Sequence, residues 1–449
     1  MTITNIIRIQ PNRYKHLITI RYAIIISVIF KNRQCNMKNN PKIQNPRGTF
    51  DILPPKSYTW KHVETTLSKI AEVFGYSPIA TPIIEDSNLF TRGVGESTDI
   101  VEKETYTFED RGGDFISLRP EGTAPICRAY LQNGMHNLPQ PIRLYYVGPF
   151  FRYDRPQAGR YRQLHQFGSE LIGDPSSASD VEIIQLAWNI LKSLEIKNIK
   201  LLINSIGDSS CRKNYIDQLT KYLNHHIDSL SHKDCINRLK TNPLRILDCK
   251  EESCKNLTQK APTSIEFLCA ECLIHWNQTK SLLDILSIDY TVDATLVRGL
   301  DYYTRTVFEI VPDTTGQQNT LAAGGRYDGL IAQLGGAPTP AIGFAMGIER
   351  TIEIMQAQDL LNTPNIAKKL TIAHIGEEAF QHAMRLAGVF RDKSIMTIVA
   401  PRNRSLKSQL RFANSLLSSH VIIIGESEIN NQTLLLRDLN SKKQHQVDL

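Results

Sequence analysis

The chain has 449 residues, of which 41% are hydrophobic and 22% charged, and its formal net charge is +7. That length is too great for one ordinary core and implies two or three globular domains, and a chain of this size needs no disulfide staples, so its eight cysteines read as reduced thiols of a cytosolic protein. The mild basic excess suits a nucleic-acid or phosphate partner without demanding one. The most apolar run, "YAIIISVIF" at 22–30, is too short to cross a bilayer, so no membrane partner is expected.

Residues 1–36 contain six Lys or Arg and no Asp or Glu. Such a segment is either a targeting sequence or the product of a misassigned start, with Met37 the initiator. No small-residue cleavage site follows the apolar run, which favours the second reading, and 1–36 is set outside the expected fold. From Met37 the pattern is mixed α/β. "SYTWKHVETTLSKIAEVFGY" (57–76) has helical spacing, with Trp60, Val63, Leu67, Ile70, Val73 and Phe74 on one face and Gly75 as terminator. "YSPIATPIIED" (76–86) is extended, and "TYTFED" and "DFISLRP" flank Arg111-Gly112-Gly113 as a hairpin. Two strands at 141–154 and 162–173 enclose a basic loop, and 179–194 is a helix capped by Ser179. Helical periodicity dominates 207–290, which reads as an insertion. Strands return at 296–310 and near 321, then "PAIGFAMGIERTIEIMQ" runs from strand to helix. After a boundary near 360–369, strands and helices alternate to the end, the pattern of a small domain with a central sheet.

Several clusters carry chemistry. "FFRYDRPQAGRYRQLHQFGSE" places Arg152, Arg155, Arg160 and Arg162 around a hairpin turn, where guanidinium groups can clamp a phosphate bidentately. Gln166 and Glu170 on the following strand are four apart and share a face. Glu121-Gly122-Thr123 offers a carboxylate and a hydroxyl to an ammonium group, or is no more than a helix start capped by Thr123. Arg350 opens a helix, where a cation opposes the dipole unless an anion sits there. "LVRGLDYYTRTVFEI" (296–310) carries more polar groups than a core strand needs. Cys249, Cys254, Cys269 and Cys272 have the form C-x4-C…C-x2-C, which resembles a structural zinc site. The first pair departs from the tighter spacing, and two helices with buried thiols is the preferred reading.

Together these stretches resemble the class II aminoacyl-tRNA synthetases, and among them the histidyl-tRNA synthetase family. "GPFFRYDRPQAGRYRQLHQFGSE" is similar to the family's motif 2 and "PAIGFAMGIER" to motif 3. "TPIIEDSNLFTRGVGESTDIVEKETYTFEDRGG" resembles the segment around and after motif 1. "LVRGLDYYTRTVFEI" and "LAAGGRYDGLIAQLGG" resemble stretches particular to the histidine enzyme. The likeness runs from about Asn45 to the C-terminus. It implies an α+β fold: a class II synthetase antiparallel sheet flanked by helices, a helical insertion and a C-terminal α/β anticodon-binding domain. The implied divisions are 1–36 outside the fold, 37–206 with motifs 1 and 2, 207–290 as insertion, 291–360 with the histidine-specific stretches and motif 3, and 368–449 for the anticodon.

The resemblance also implies a cytoplasmic homodimer that joins L-histidine to its tRNA with ATP and Mg2+, and no organic cofactor. By position Arg152 falls on the α-phosphate, Arg350 toward the γ-phosphate, and Arg298 across the α-phosphate near the histidine carboxylate. Arg298 and Arg152 would be the catalytic pair. Glu121, Gly122 and Thr123 would hold the α-amino group. Gln166, Glu170, Tyr302, Tyr303 and Tyr327 would line the amino-acid pocket with Arg152 and Arg298. Arg155 and Gln157 would reach the tRNA acceptor end. Arg402 and Arg404, with Lys407 and Arg411, form a basic run suited to an anticodon stem. Asp301 and Arg305 are expected to pair behind the pocket wall. One departure is Leu164, where the family usually has an aromatic ring on adenine. The rival reading is a paralogue without catalysis, the regulatory subunit of ATP phosphoribosyltransferase; retention of Arg152, Arg298 and Arg350 and of a C-terminal domain weighs against it.

Overall fold

The computed structural model describes residues 43–95, 98, 100–155, 159–230, 232–313, 320–361 and 369–448. The expectations for residues 1–36, for Met37 as initiator and for Gln157 lie outside the described residues. The described residues 43–51 lie outside the unit that begins at Ile52. Among them Thr49 donates from its N–H and its hydroxyl to Pro46 O, at 3.1 and 2.8 Å.

In the unit from Ile52 onward, helix α1 (Lys56–Val73) buries Val63, Leu67 and Ala71, the i, i+4, i+8 stripe that its sequence spells. Val73, expected on that face, is exposed. At 3.6 residues per turn it falls ~120° from the centre of the stripe. Gly75, at φ +82°, turns the chain away as a left-handed C-terminal residue. Strand β1 (Ser77–Pro78) follows, then β2 (Ile84–Asp86), helix α2 (Ser87–Val94), and β3 (Tyr106–Glu109) paired with β4 (Phe115–Leu118) in the expected hairpin. Helix α3 (Thr123–Gln132) leads to the long hairpin of β5 (Ile142–Phe151) and β6 (Gln163–Ile172). Helix α4 (Ser177–Ser193) begins two residues earlier than expected, with Ser176 at its N-cap in place of Ser179. The Ser179 hydroxyl turns back to Asp174, which also takes the N–H and hydroxyl of Ser176.

After β7 (Ile199–Ser205) come the helices α5 (Ser209–His225), α6 (Lys233–Thr241), α7 (Glu252–Thr258) and α8 (Ala270–Ile285), and the chain re-enters the sheet as β8 (Tyr290–Val292). Residues 296–303 are loop and turn, and strand β9 spans only Thr304–Pro312. The expected strand over 296–310 therefore holds only for its second half. Its first half is held by side chains: Asn204 Nδ2 donates to Leu296 O and Arg245 to Gly299 O. Strands β10 (Ala322–Arg326) and β11 (Ala341–Gly347) follow, the first leading into a short helix α9 (Leu330–Gln333) and the second into α10 (Ile348–Ala357).

The large sheet runs β1-β5-β6-β11-β10-β9-β7-β8, antiparallel except at its two ends, where β1 lies parallel to β5 and β8 parallel to β7. Strand alternation divides its faces. Phe167 and Leu171 of β6, Phe344 of β11 and Phe308 of β9 pack with α1 and α4 in one core. Gln166, Gly168 and Glu170, the alternate residues of β6, face the other way. Glycine is required there: a Cβ on Gly343 would lie 1.7 Å from Glu170 Oε2, and one on Gly168 2.3 Å from the Tyr146 hydroxyl. A fully buried pair, Arg326 and Asp180, with His275 Nε2 at 2.7 Å from Asp180, joins β10, α4 and α8.

Strands β12 (Leu370–His374), β13 (Thr397–Val399), β14 (His420–Ile424), β15 (Thr433–Asp438) and β16 (Gln444–Asp448) form a second sheet, parallel over its first three strands and antiparallel over the rest. Helices α11 (Glu377–Asp392), α12 (Leu406–Ser415) and α13 (Glu426–Asn430) connect them. The terminal strand β16 had no counterpart in the expected elements; all of its residues are exposed and its sequence is largely polar. The chain is thus an α+β protein with a central, mainly antiparallel sheet flanked by helices and a C-terminal α/β domain.

Candidate active site

The glycine-bearing face of the sheet floors a cleft of ≈ 460 Å³. Four segments wall it: the start of α3 (Glu121, Gly122, Thr123), the β5–β6 hairpin (Tyr146, Arg152, Leu164, Gln166), the loop before β9 (Arg298, Tyr302, Tyr303), and β11 running into α10 (Gly343, Glu349, Arg350). Tyr327 completes it. Eleven residues singled out from the sequence thus come together, counting Glu170 beneath Tyr327.

One end is built of carboxyls and phenols. Thr123 is the first residue of α3 and Gly122 its N-cap, so Thr123 is not the cap; its hydroxyl donates to Glu170 at 2.8 Å. Glu121 supplies the capping instead, accepting the N–H groups of Thr123 and Ala124 at 2.8 Å each. Burial raises the Glu121 carboxyl, and those N–H groups and Arg152 oppose the rise. Glu170 is fully buried. Burial drives its carboxyl up to about 8, against the hydrogen bonds from Tyr327 (2.5 Å) and Thr123. Tyr302 packs against Tyr303 and Tyr327, ring centroids 4.7 and 5.7 Å apart.

The other end is cationic. Arg152 Nε donates to Pro120 O at 2.9 Å, and Arg350 reaches Gly159 O and Thr320 O at 3.4 and 3.3 Å. Burial lowers the Arg350 pKa, and neighbouring Arg160 and Arg152 lower it further. A site that crowds guanidinium groups in this way is built for an anion. Between the two ends, Arg298 is ion-paired with Glu309, whose other oxygen accepts from Thr320 at 3.0 Å. The Nε of Arg298 and the Oε1 of Gln166 are buried and have no hydrogen-bond partner. Unpaired buried polar atoms are costly, and both residues line the cleft.

Other expected residues lie elsewhere. Arg155 is exposed and does not line the cleft. Arg162 stacks on Tyr153 at 4.0 Å. Arg402 pairs with Glu377 and lies 5.3 Å from the Phe380 ring, and Arg404 is exposed in the loop before α12. Asp301 and Arg305 do not pair as expected: Asp301 accepts from Asn242 at 2.8 Å, and Arg305 lies 3.9 Å from both Asp208 and Glu271. Asp301 lies in the turn before β9, and Arg305 itself stands at φ +48°, off the extended strand backbone. Three of the four cysteines taken as one candidate set fall into two groups, Cys249 with His232 and Cys235, and Cys269 and Cys272 with Asp208 and Cys211, while Cys254 is buried and in neither. Tyr146, Arg245 and Asp248 line the cleft without having been singled out. Tyr146 carried a signal, since it sits opposite Gly168 on the neighbouring strand; Arg245 and Asp248 come from the helical insertion and carried none.

A glycine-floored antiparallel sheet with arginines at one end of its cleft, followed by a separate C-terminal α/β domain, is the layout of a class II aminoacyl-tRNA synthetase. A sequence profile described as "Histidyl-tRNA synthetase" matches residues 48–351, and one described as "Anticodon binding domain" matches 369–449. The histidine–tRNA ligase of Dehalococcoides mccartyi strain 195 is 48% identical over 406 residues, 90% of this chain and 97% of the relative. That of Caldanaerobacter subterraneus subsp. tengcongensis is 44% identical over 402 residues, 90% of this chain and 96% of the relative. The crystal structure of apo S. aureus histidyl-tRNA synthetase superposes with a TM-score of 0.77 at 36% identity, over 90% of this chain and 97% of that one. A Bacillus halodurans structure described as an ATP phosphoribosyltransferase regulatory subunit/histidyl-tRNA synthetase shares the fold, with TM-score 0.63, 23% identity, and 86% and 98% of the two chains covered. The chain belongs to the histidyl-tRNA synthetase family.

Proposed function

We propose that the cleft seats L-histidine and ATP end to end and joins them, and that the histidyl group then passes to the 3′ end of the histidine tRNA. The observation that carries this is the cleft itself, which brings Glu121, Thr123, Tyr302, Tyr303 and Tyr327 together with Arg152, Arg298 and Arg350. The first end has acceptors and donors for an ammonium group and an imidazole. The second has the charge for a triphosphate.

In the first step the histidine carboxylate attacks the α-phosphorus. A P–O bond forms, the bond to the bridging oxygen breaks, and pyrophosphate leaves. Two anions approach and charge builds on the α-phosphate, so fixed guanidinium groups there lower the barrier electrostatically. Arg152 and Arg298 take that role, and Arg350 holds the γ-phosphate. Glu121 and Thr123, with Gly122 allowing close approach, hold the α-amino group. Gln166, Glu170, Tyr302, Tyr303 and Tyr327 bind the side chain. Other amino acids would leave these buried groups unpaired, and such sites reject them strongly. In the second step a ribose hydroxyl of the tRNA attacks the acyl carbon and AMP leaves.

Mg2+ on ATP takes most of its ligands from phosphate and water and needs one or two carboxylates. Glu349, which lines the cleft beside Arg350, is the carboxylate that would hold it, and it would neutralise phosphate charge there. Leu164 lines the cleft where the adenine would pack. Arg155 and Gln157 toward the acceptor end, Arg402 and Arg404 toward the anticodon stem, and pairing of two chains complete the proposal. Its test is charging of histidine tRNA by the purified chain. Acylated tRNA that appears only with both ATP and histidine supports it; uncharged tRNA with an active-site-titrated preparation overturns it. The regulatory-subunit reading predicts no charging at all.

A further inference from the structure

The helical insertion carries two thiol clusters outside the cleft. Of the seven described cysteines, none disulfide-bonded, five belong to them and Cys254 adjoins Cys235 of the second. In the first, donor atoms of Asp208, Cys211, Cys269 and Cys272 all lie within 4.8 Å of one another. Asp208 Oδ1 is 3.4 Å from Cys211 Sγ, and Oδ2 is 3.8 and 3.2 Å from Cys269 and Cys272 Sγ. In the second, His232 Nδ1 is 3.6 Å from Cys235 Sγ and 3.8 Å from Cys249 Sγ, and the Cys235 thiol also meets that of Cys254. With bonds of about 2.3 Å to sulfur and about 2.0–2.2 Å to nitrogen or oxygen, a tetrahedral zinc site has donor–donor edges of about 3.4–3.8 Å. The carboxylate–sulfur contacts of 3.2–3.8 Å in the first cluster and the His232–sulfur contacts of 3.6 and 3.8 Å in the second lie close to those edges.

Helix starts produce this arrangement. Asp208 and Cys269 are the N-caps of α5 and α8, and Cys211 and Cys272 stand three residues on; His232 and Cys235 hold the same two positions on α6. Side chains at the N-cap and third helical position meet, as in a capping box. Each start is therefore a two-donor knuckle. The first set of four forms where the starts of α5 and α8 meet, and Cys249 joins His232 and Cys235 in the second. At Asp208, Oδ1 is occupied by Ser210 N and Oγ and Cys211 N, which leaves Oδ2 toward the sulfurs. Arg305, 3.9 Å from Oδ2, offsets the negative charge that three thiolates and a carboxylate would leave on a divalent ion.

We propose that the insertion holds two structural zinc ions, one at Asp208, Cys211, Cys269 and Cys272, the other at His232, Cys235, Cys249 and Cys254. Four protein ligands close each site, which makes them structural, not catalytic. The first pins the α5 start, from which Arg212 donates to Tyr303 O, and so braces the cleft wall.

The experiment is elemental analysis of the full chain, purified without chelator from zinc-supplemented cells. Two zinc equivalents per chain are expected, one for Cys235→Ser/Cys249→Ser and one for Cys211→Ser/Cys272→Ser. Should a variant not fold, the wild-type chain answers alone: a mercurial that titrates its thiols should release two equivalents to a metallochromic dye. Zinc-free protein with freely alkylated thiols, or with intrachain disulfides by mass, overturns the proposal. One equivalent in place of two overturns the site whose variant leaves that equivalent unchanged.

Discussion

Arg298→Ala separates catalysis from scaffolding. In the free cleft Arg298 is paired with Glu309, their side chains 21% and 17% exposed. Removing one partner of a fully buried pair costs about 3–5 kcal/mol, and this residual exposure reduces the cost to roughly 2–4 kcal/mol of stability. The loss should show as a lowered Tm. A separate loss should fall on the reaction: deleting one preorganised donor to a developing charge costs about 10²–10³ in rate, or about 2.7–4 kcal/mol. The assay is histidine-dependent exchange of pyrophosphate into ATP, run beside thermal melting. Arg298→Ala should lose both rate and Tm, with the histidine KM within about threefold of the parent. Adding Glu309→Gln removes the orphaned carboxylate and should restore most of the Tm but not the rate. A double variant that regains its rate would refute the reasoning, because Arg298 would then act only by holding Glu309. A KM that rises as far as kcat falls would refute it too, since Arg298 would be a binding group and not a transition-state one.

Three further outcomes follow from the same geometry. Glu170, with its carboxyl at about 8, is protonated below that pH and gives an imidazole N–H a charge-assisted acceptor only once ionised, so the histidine KM should fall about fivefold from pH 7 to pH 8; Glu170→Gln should flatten that dependence, and an equal slope in both would refute the assignment. Gly343→Ala places a methyl 1.7 Å from Glu170 Oε2, whose position Tyr327 and Thr123 fix, so the histidine KM should rise more than about tenfold while ATP binding without histidine holds; an unchanged KM would show that Glu170 has room to move. Asp180→Asn strips the fully buried Arg326 of its main counter-charge and should lower Tm on the order of 10 °C; a change within the error of the melt would mean that Asp328 alone suffices.

The cleft was largely legible in the sequence because its residues lie in short runs whose local geometry is set by neighbours. Gln166 and Glu170 share a face by strand alternation alone, and Arg350 opens a helix because Gly347 ends a strand. What could not be read depends on packing between distant segments. Asp180 lies 95 residues from His275 and 146 from Arg326, and no local pattern announces that they meet. The cysteines were grouped by spacing along the chain, whereas the folded insertion groups them by which helix starts face one another. Residues 296–303 looked like a strand because apolar residues flank the tyrosines. They form a loop because Tyr302 and Tyr303 both turn into the cleft, which a pleated strand cannot arrange for adjacent residues. Ser179 was a plausible cap, but Asp174 draws in Ser176 and Ser179 together and sets the helix start earlier.

The central claim is that this cleft activates histidine with ATP. Exchange of labelled pyrophosphate into ATP by the purified full-length chain tests it without tRNA. The account predicts exchange that depends on histidine, is absent with the other amino acids, and is lost in Arg298→Ala. Exchange absent from a folded wild-type chain that binds ATP, or equal exchange with glutamine in place of histidine, would contradict it.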